Sequence, residues 1–185
     1  MVEKRWYRSK AQGLVEFALI FPILIVILFA IIDFGWMVFN FSQLYNGLRE
    51  GVRYGSVEGF GATDQIKDCA GILAQLQAQA GFAHLQSSNV HIWYDDGRSL
   101  PDSTPYATSE AYVVATCDTA GNWVYNTSYT PSSGTRTTND YQNGDRVVVD
   151  IDVNVRFLTP FFSALATTGV EMHVRAARSI FPAGL

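Results

Sequence analysis

Catalysis or metal binding in this chain would have to come from three histidines, seventeen carboxylates and scattered hydroxyls. Their spacing assembles no recognisable site. His84, His91 and His173 fit no H-E-x-x-H or related metal pattern, and there is no G-x-S-x-G, no P-loop and no glycine-rich dinucleotide turn. Each histidine is therefore read as a surface or packed residue, and no catalytic residue, cofactor or metal is expected. An anchored enzyme would require Asp, His and Ser residues distant in sequence to converge in three dimensions. Asp95, Asp96 and Asp102, and the stretch Thr138 to Asp145, carry oxygen atoms that calcium accepts. They lack the spacing of an EF-hand loop, and Asn143-Gly144 reads better as a hairpin turn.

Two other pairs of residues have chemistry in prospect. Cys69 and Cys117 are the only cysteines, and an even count on the exported side of a membrane invites a disulfide; the alternative is two separate buried thiols. Glu16 and Asp33 interrupt the most apolar part of the chain. An ionised carboxylate at mid-bilayer costs about 2.5 to 3.5 kcal/mol on insertion scales, so each needs a partner or a place near the interface. Glu16 falls beside Lys10 and Arg8, at the cytoplasmic headgroup level. Asp33 emerges near the outer interface, where a solvated or interfacial carboxylate is expected.

The element that positions both is LVEFALIFPILIVILFAIIDFGWMVF, from Leu14 to Phe39. A hydrocarbon core about 30 Å thick needs roughly 20 residues of helix, so the run spans a bilayer with some tilt. A soluble helix is seldom apolar all round. Pro22 lies inside it, where a kink is expected. The preceding leader is basic: residues 1 to 13 carry net +3, leaving −7 on the rest of a chain with formal charge −4. The positive-inside rule puts the N-terminus in the cytoplasm and the C-terminal part outside. An acidic exterior without a basic patch argues against nucleic acid as a partner. An ordinary signal peptide fits less well, because the apolar run exceeds a typical h-region and no A-x-A site follows.

AQGLVEFALIFPILIVILFAIIDFGWMVFN followed by LREGVRYGSV resembles the N-terminal signature of the TadE-like family of pseudopilins, found with tight-adherence (Flp-type) pilus systems. The resemblance implies a short leader, a cut just before the apolar helix and a glutamate at the fifth mature position. On this sequence that register makes Glu16 the glutamate and places the cut between Ala11 and Gln12, with Ala11 where the family more often has Gly. It implies processing by a prepilin peptidase. It also implies pairing of Glu16 with the freed amine of the same or a neighbouring subunit, which would fix the axial register.

Leu44, Leu48 and Val52 continue one apolar stripe beyond the span, with Asn40, Gln43 and Arg49 facing elsewhere. A helix from Leu14 to about Ser56 would be about 63 Å long at 1.5 Å per residue. Gly47, Gly51 and Gly55 recur every fourth residue, and three helix glycines on one face call for close packing, under the C-terminal sheet or against another subunit's helix. The alternative is that they fray the helix near Gly47.

After the turn at Gly59 and Gly61, a second helix is expected over DQIKDCAGILAQLQAQAG. Thr63 or Asp64 would cap it, Ile66, Ala70, Leu73 and Leu76 would share a face, and Gly81 would close it. Val90 to Tyr94 reads as a strand leading into an Asp96-Gly97 turn. Residues 110 to 118 are a strand or a helix end. Residues 118 to 143 form a long polar loop or a small irregular ribbon, with an N-T-S sequon at Asn126. Val147, Val149, Ile151, Val153, Val155 and Phe157 share one face of a long strand, while Val148, Asp150, Asp152, Asn154 and Arg156 mostly face water. FFSALATTG is a short helix or bulged loop, and VEMHVRAARSIFP is a returning strand. Strand, proline-led crossover and strand also resemble the close of TadE-like domains.

The expected fold class is therefore α+β: a long pilin-like transmembrane helix, then a compact domain with a second helix on an antiparallel sheet. The expected segments are a basic leader at 1–11, the long helix at 12–58 with the span at 14–39, and an extracellular domain at 59–185. The expected function is that of a pilin or pseudopilin, assembled through its apolar helix. Its expected partners are copies of itself or related pilins, inner-membrane assembly machinery, prepilin peptidase and, before assembly, membrane lipid. It would sit in the cytoplasmic membrane first and in an extracellular filament afterwards. The alternative is a monomeric envelope-anchored binding or assembly protein that enters no filament. Trp93, Trp123 and several tyrosines in exposed-looking stretches suit adhesion, and they suit ordinary packing equally.

Overall fold

The computed structural model describes residues 6–59, 64–81, 85–97, 112–131 and 140–181, with side chains from residue 12 onward. The chain divides into two compact units, one of Met1–Phe39 with Arg156–Val170 and one of Asn40–Val155 with Glu171–Leu185. The element order is α1 (Trp6–Gly55), α2 (Cys69–Ala80), β1 (Val90–Asp95), β2 (Val113–Cys117), β3 (Trp123–Tyr125), β4 (Arg146–Val155), α3 (Pro160–Leu165) and β5 (Val170–Ser179). This is the α+β class.

α1 is one helix of 50 residues, continuous through Pro22 and through all three glycines of the fourfold stripe. It does not fray at Gly47. In the first unit its apolar side chains are exposed around the circumference, among them Leu14, Phe17, Leu19, Ile23, Ile27 and Ile31. The same unit holds the crossover between β4 and β5, in which Pro160 opens α3 at a position where its missing N–H costs no hydrogen bond. The sequence left helix or bulge open for this segment, and it is a helix.

In the second unit the strands form one antiparallel sheet in the order β3-β2-β1-β4-β5. β1 pairs with β4 from Val90↔Ile151 to Asp95↔Arg146, and with β2 at Trp93↔Thr116 and Tyr94↔Ala115. Residues 113–117, left open between strand and helix end, are therefore a strand. The sequence leaves residues 118–143 open between a polar loop and a small irregular ribbon, and Trp123 to Tyr125 form β3 there, paired to β2 at Cys117↔Trp123 and Ala115↔Tyr125. Leu44, Leu48 and Val52 of α1 meet Ile72 and Leu76 of α2 and Val147, Val149 and Ile151 of β4 in the core. Asn40 is buried as well, where the sequence turned it elsewhere.

α2 departs from expectation at its start. Asp68 caps it, its Oδ1 accepting the Gly71 N–H at 2.9 Å, whereas Asp64 and Ile66 lie in a preceding turn. The helix consequently buries Cys69, Ile72, Leu76 and Ala80; of the expected face Leu76 is buried and Leu73 half-buried against the core, while Ala70 is exposed. Gly81 closes it with φ +45°. β4 departs in part: on its second face Asn154 and Arg156 are exposed and Asp152 half-buried, as expected, but the first half is covered. Val148 and Asp150 are buried there, Val148 beside Trp93 and Val113. Trp93 is thus an interior residue and not a free adhesive ring.

Candidate functional site

The features that bear on function lie along α1. Ala11 and Gln12, on either side of the expected cut, are consecutive residues within the helix. The Gln12 side-chain amide donates to Glu16 Oε1 at 3.2 Å, on an exposed face. One helical turn therefore brings the Gln12 and Glu16 side chains together. Beyond Glu16, the run to Phe39 is apolar but for one further carboxylate.

That carboxylate, Asp33, is 3 % exposed. The Leu158 and Thr159 backbone N–H groups donate to its Oδ1 at 2.8 and 3.0 Å, and the Thr159 hydroxyl donates to its Oδ2. Of the two alternatives expected for Asp33, solvated or interfacial, the solvated one is overturned. Its charge is met by three donors from the crossover, the arrangement that makes a buried carboxylate tolerable. Periodicity gave no sign of it, since the partners lie more than a hundred residues downstream.

In the second unit the glycine stripe faces α2. A Cβ on Gly47 would stand 2.9 Å from the Leu76 carbonyl oxygen, one on Gly51 2.7 Å from Leu76 Cγ, and one on Gly55 2.6 Å from Ile72 Cδ1. All three are closer than side-chain carbons approach such atoms. The occupant of the stripe is the chain's own second helix, with Val147 of the sheet 3.5 Å from the Gly55 position. Tyr54, one step from this stripe, donates its hydroxyl to Asp68 Oδ2 at 2.8 Å, so α1 also fixes the cap of α2. That bond to a carboxylate holds the Tyr54 phenol above its ordinary range.

Cys69 and Cys117 form a disulfide, with Cα atoms 5.8 Å apart. It joins the first residue of α2 to the last residue of β2. Close by, Tyr94 is fully buried and donates its hydroxyl to the Ile66 carbonyl; burial and the nearby Asp64 and Asp68 charges push its pKa far upward.

Of the carboxylates considered for calcium, Asp95, Asp96 and Asp145 are engaged in hydrogen bonds. Asp95 accepts Arg146 Nε at 2.7 Å and Nη2 at 3.0 Å, plus the Gly97 N–H at 2.9 Å. Asp96 accepts the Tyr129 hydroxyl at 3.0 Å, and Asp145 accepts the Gln142 N–H at 2.7 Å inside the turn that carries Gly144 at φ +100°. His173 Nε2 lies 2.7 Å from Asp150 Oδ1 without a hydrogen bond to it, and Arg175 donates to Oδ2 of the same carboxylate at 2.7 and 3.1 Å. Among the described residues no three His, Cys, Asp or Glu side chains converge as a metal set. His84, Asp102 and Thr138 lie outside them. Asn126 of the sequon donates its amide to the Val113 carbonyl at 2.9 Å.

Comparison with known families singles out the same helix. Residues 11–53 match the family model for TadE-like protein. This part of the chain is similar to the TadE-like family. The match begins at Ala11, takes in Glu16 and Asp33, and ends two residues short of the end of α1. Searches of curated proteins and of solved structures give no match. The TadE-like segment thus contains both the uncovered apolar surface and two of the three glycines that seat α2.

Proposed function

We propose that the chain is a structural subunit, a pilin or pseudopilin, of a tight-adherence pilus filament, assembled through its apolar N-terminal helix. The supporting observation is the uncovered apolar surface of α1 within the TadE-like segment. Such a surface must be buried in lipid or against neighbouring helices, and the proposed subunit uses each in turn. The basic leader puts its N-terminus on the cytoplasmic side before assembly. Glu16 sets the axial register by pairing with the amine freed when a prepilin peptidase cuts between Ala11 and Gln12. Repetition of one interface without closure then builds a helical filament, whose partners are further copies or related pilins and the inner-membrane assembly machinery. The role is structural rather than catalytic.

Intact-mass and N-terminal analysis of filaments sheared from the cell surface tests the reading. Abundant chain starting at Gln12 is expected. A chain confined to the membrane fraction would make it an anchored module instead, and a filament chain starting at Met1 would remove the free-amine partner of Glu16.

A further inference from the structure

The crossover between β4 and β5 has a composition that its position in a sheet domain does not require. From Phe157 to Val170 it contains no charged residue, while Arg156 and Glu171 flank it. Leu158, Phe161, Leu165 and Val170 are exposed, Leu165 to 79 %. Phe162 carries ring contacts to both Phe157 and Phe161, with centroids 5.9 and 5.1 Å apart. Contiguous exposed apolar surface of this kind marks a contact with another apolar phase.

The latch at Asp33 fixes the level at which this surface sits. Asp33 follows Leu14 by nineteen residues, about 28 Å of helix, against a hydrocarbon core about 30 Å thick. On the reading that α1 crosses the membrane, Asp33 stands at the outer boundary of the hydrocarbon. Leu158 and Thr159, bonded to its carboxylate, stand at the same level. Beside them α1 presents Ile31, Ile32 and Phe34, all exposed, so the crossover extends a lipid-facing surface that already exists. Its backbone is largely closed on itself. Ser163 N–H donates to the Thr159 carbonyl at 3.1 Å, Ala166 N–H to the Phe162 carbonyl at 2.9 Å and Gly169 N–H to the Ala166 carbonyl at 3.3 Å. A segment entering a medium poor in hydrogen-bond partners needs that closure.

We infer that residues 156–170 are a second membrane-contact element, a short crossover helix that seats Phe161 and Leu165 in the outer phospholipid interface while Asp33 pins it to the spanning helix. The occupant is the boundary between acyl chains and headgroups, with Thr167 and Thr168 on the polar side. The inference rests on the membrane-inserted state of the proposed subunit.

The test uses the full chain in phosphatidylcholine–phosphatidylglycerol vesicles at high lipid-to-protein ratio, with trifluoromethyl-phenylalanine placed at Phe161 and, in separate samples, at Leu165 and at Phe21. Fluorine NMR is recorded with doxyl-labelled phosphatidylcholine and with an aqueous gadolinium chelate. The expected result is loss of the signals at 161 and 165 with the doxyl lipid and their survival with the chelate. Loss with the chelate at 161 and 165, while the label at 21 responds only to the doxyl lipid, would overturn the inference and leave the spanning helix in place. Signals at 161 and 165 reached by neither agent would mean cover by a second copy, which also overturns it. A label at 21 untouched by the doxyl lipid would remove the spanning helix and the inference together. The label at 165 keeps the test decisive if substitution at 161 disturbs the aromatic cluster.

Discussion

Asp33 shows how a single carboxylate can be held inside an apolar region with no counterion among the described residues. Its three donors come from two adjacent residues, Leu158 and Thr159. Hydrogen bonds to charged groups contribute about 1.5 to 3 kcal/mol each. Asp33→Ala should therefore speed hydrogen–deuterium exchange at the Leu158 and Thr159 amides by about tenfold or more, read by mass spectrometry on the full chain in detergent. Unchanged exchange would show that the crossover is held by something else. Tyr94 offers a second residue-scale test. Its phenol is neutral and buried in the folded state, with its pKa raised above the ordinary 10.0. The folded form thus keeps a proton that the unfolded form loses, so this contribution to stability is complete below pH 10 and falls as pH rises beyond it. Denaturant midpoints measured across that range should drop. The drop should shrink in Tyr94→Phe, which has nothing to ionise.

At the scale of elements, the glycines of α1 divide by what they face. Gly13 and Gly35 have open space where a Cβ would go, whereas Gly47 meets the Leu76 backbone. A backbone atom cannot swing aside as a side chain does. Gly47→Ala should cost about 1 to 3 kcal/mol, as overpacking does, while Gly35→Ala should leave stability unchanged or raise it by up to about 1 kcal/mol through helix propensity. Chemical denaturation of both variants checks the contrast. Loss of filaments in Gly35→Ala with stability intact would locate a helix-to-helix contact between copies.

The elements also show what could be read from sequence. Leu44, Leu48 and Val52 announced the face of α1 that is buried, and the alternation through β4 announced its core side, because both signals are local and periodic. The first half of the second face of β4 was misread for the opposite reason, while Asn154 and Arg156 are exposed as expected. Val148 and Asp150 are covered by Trp93 and by Arg175 and His173, residues from other strands that no local period connects. The start of α2 was missed because Asp64 and Asp68 are equally good caps by type, and Tyr54, fourteen residues before Asp68, is bonded to the latter.

For the molecule as a whole, the disulfide ties the first residue of α2 to the last residue of β2. Cys69 and Cys117 are 48 residues apart in sequence, and closing a loop of that size stabilises by about 4 kcal/mol in the chain-entropy model. Replacing both cysteines with serine should lower the unfolding free energy by about 2 to 4 kcal/mol, measured with the span in detergent. An unchanged midpoint would mean that the core alone suffices. The pairing of these cysteines was legible from their even number and the side of the membrane assigned to them. The Asp33 latch was not legible, since nothing in the apolar run or in the crossover names the other.

The glycine stripe carries a consequence for how such chains diversify. Gly51 and Gly55 fit against Leu76 and Ile72 because neither glycine has a side chain. What the notches require of the domain that follows is a narrow ridge on its first helix, which here is formed by Leu76 and Ile72. A graft exchanging everything after Gly55 should succeed when the incoming second helix has such a ridge. In relatives where position 51 has gained a methyl group, the partner residue should have lost one.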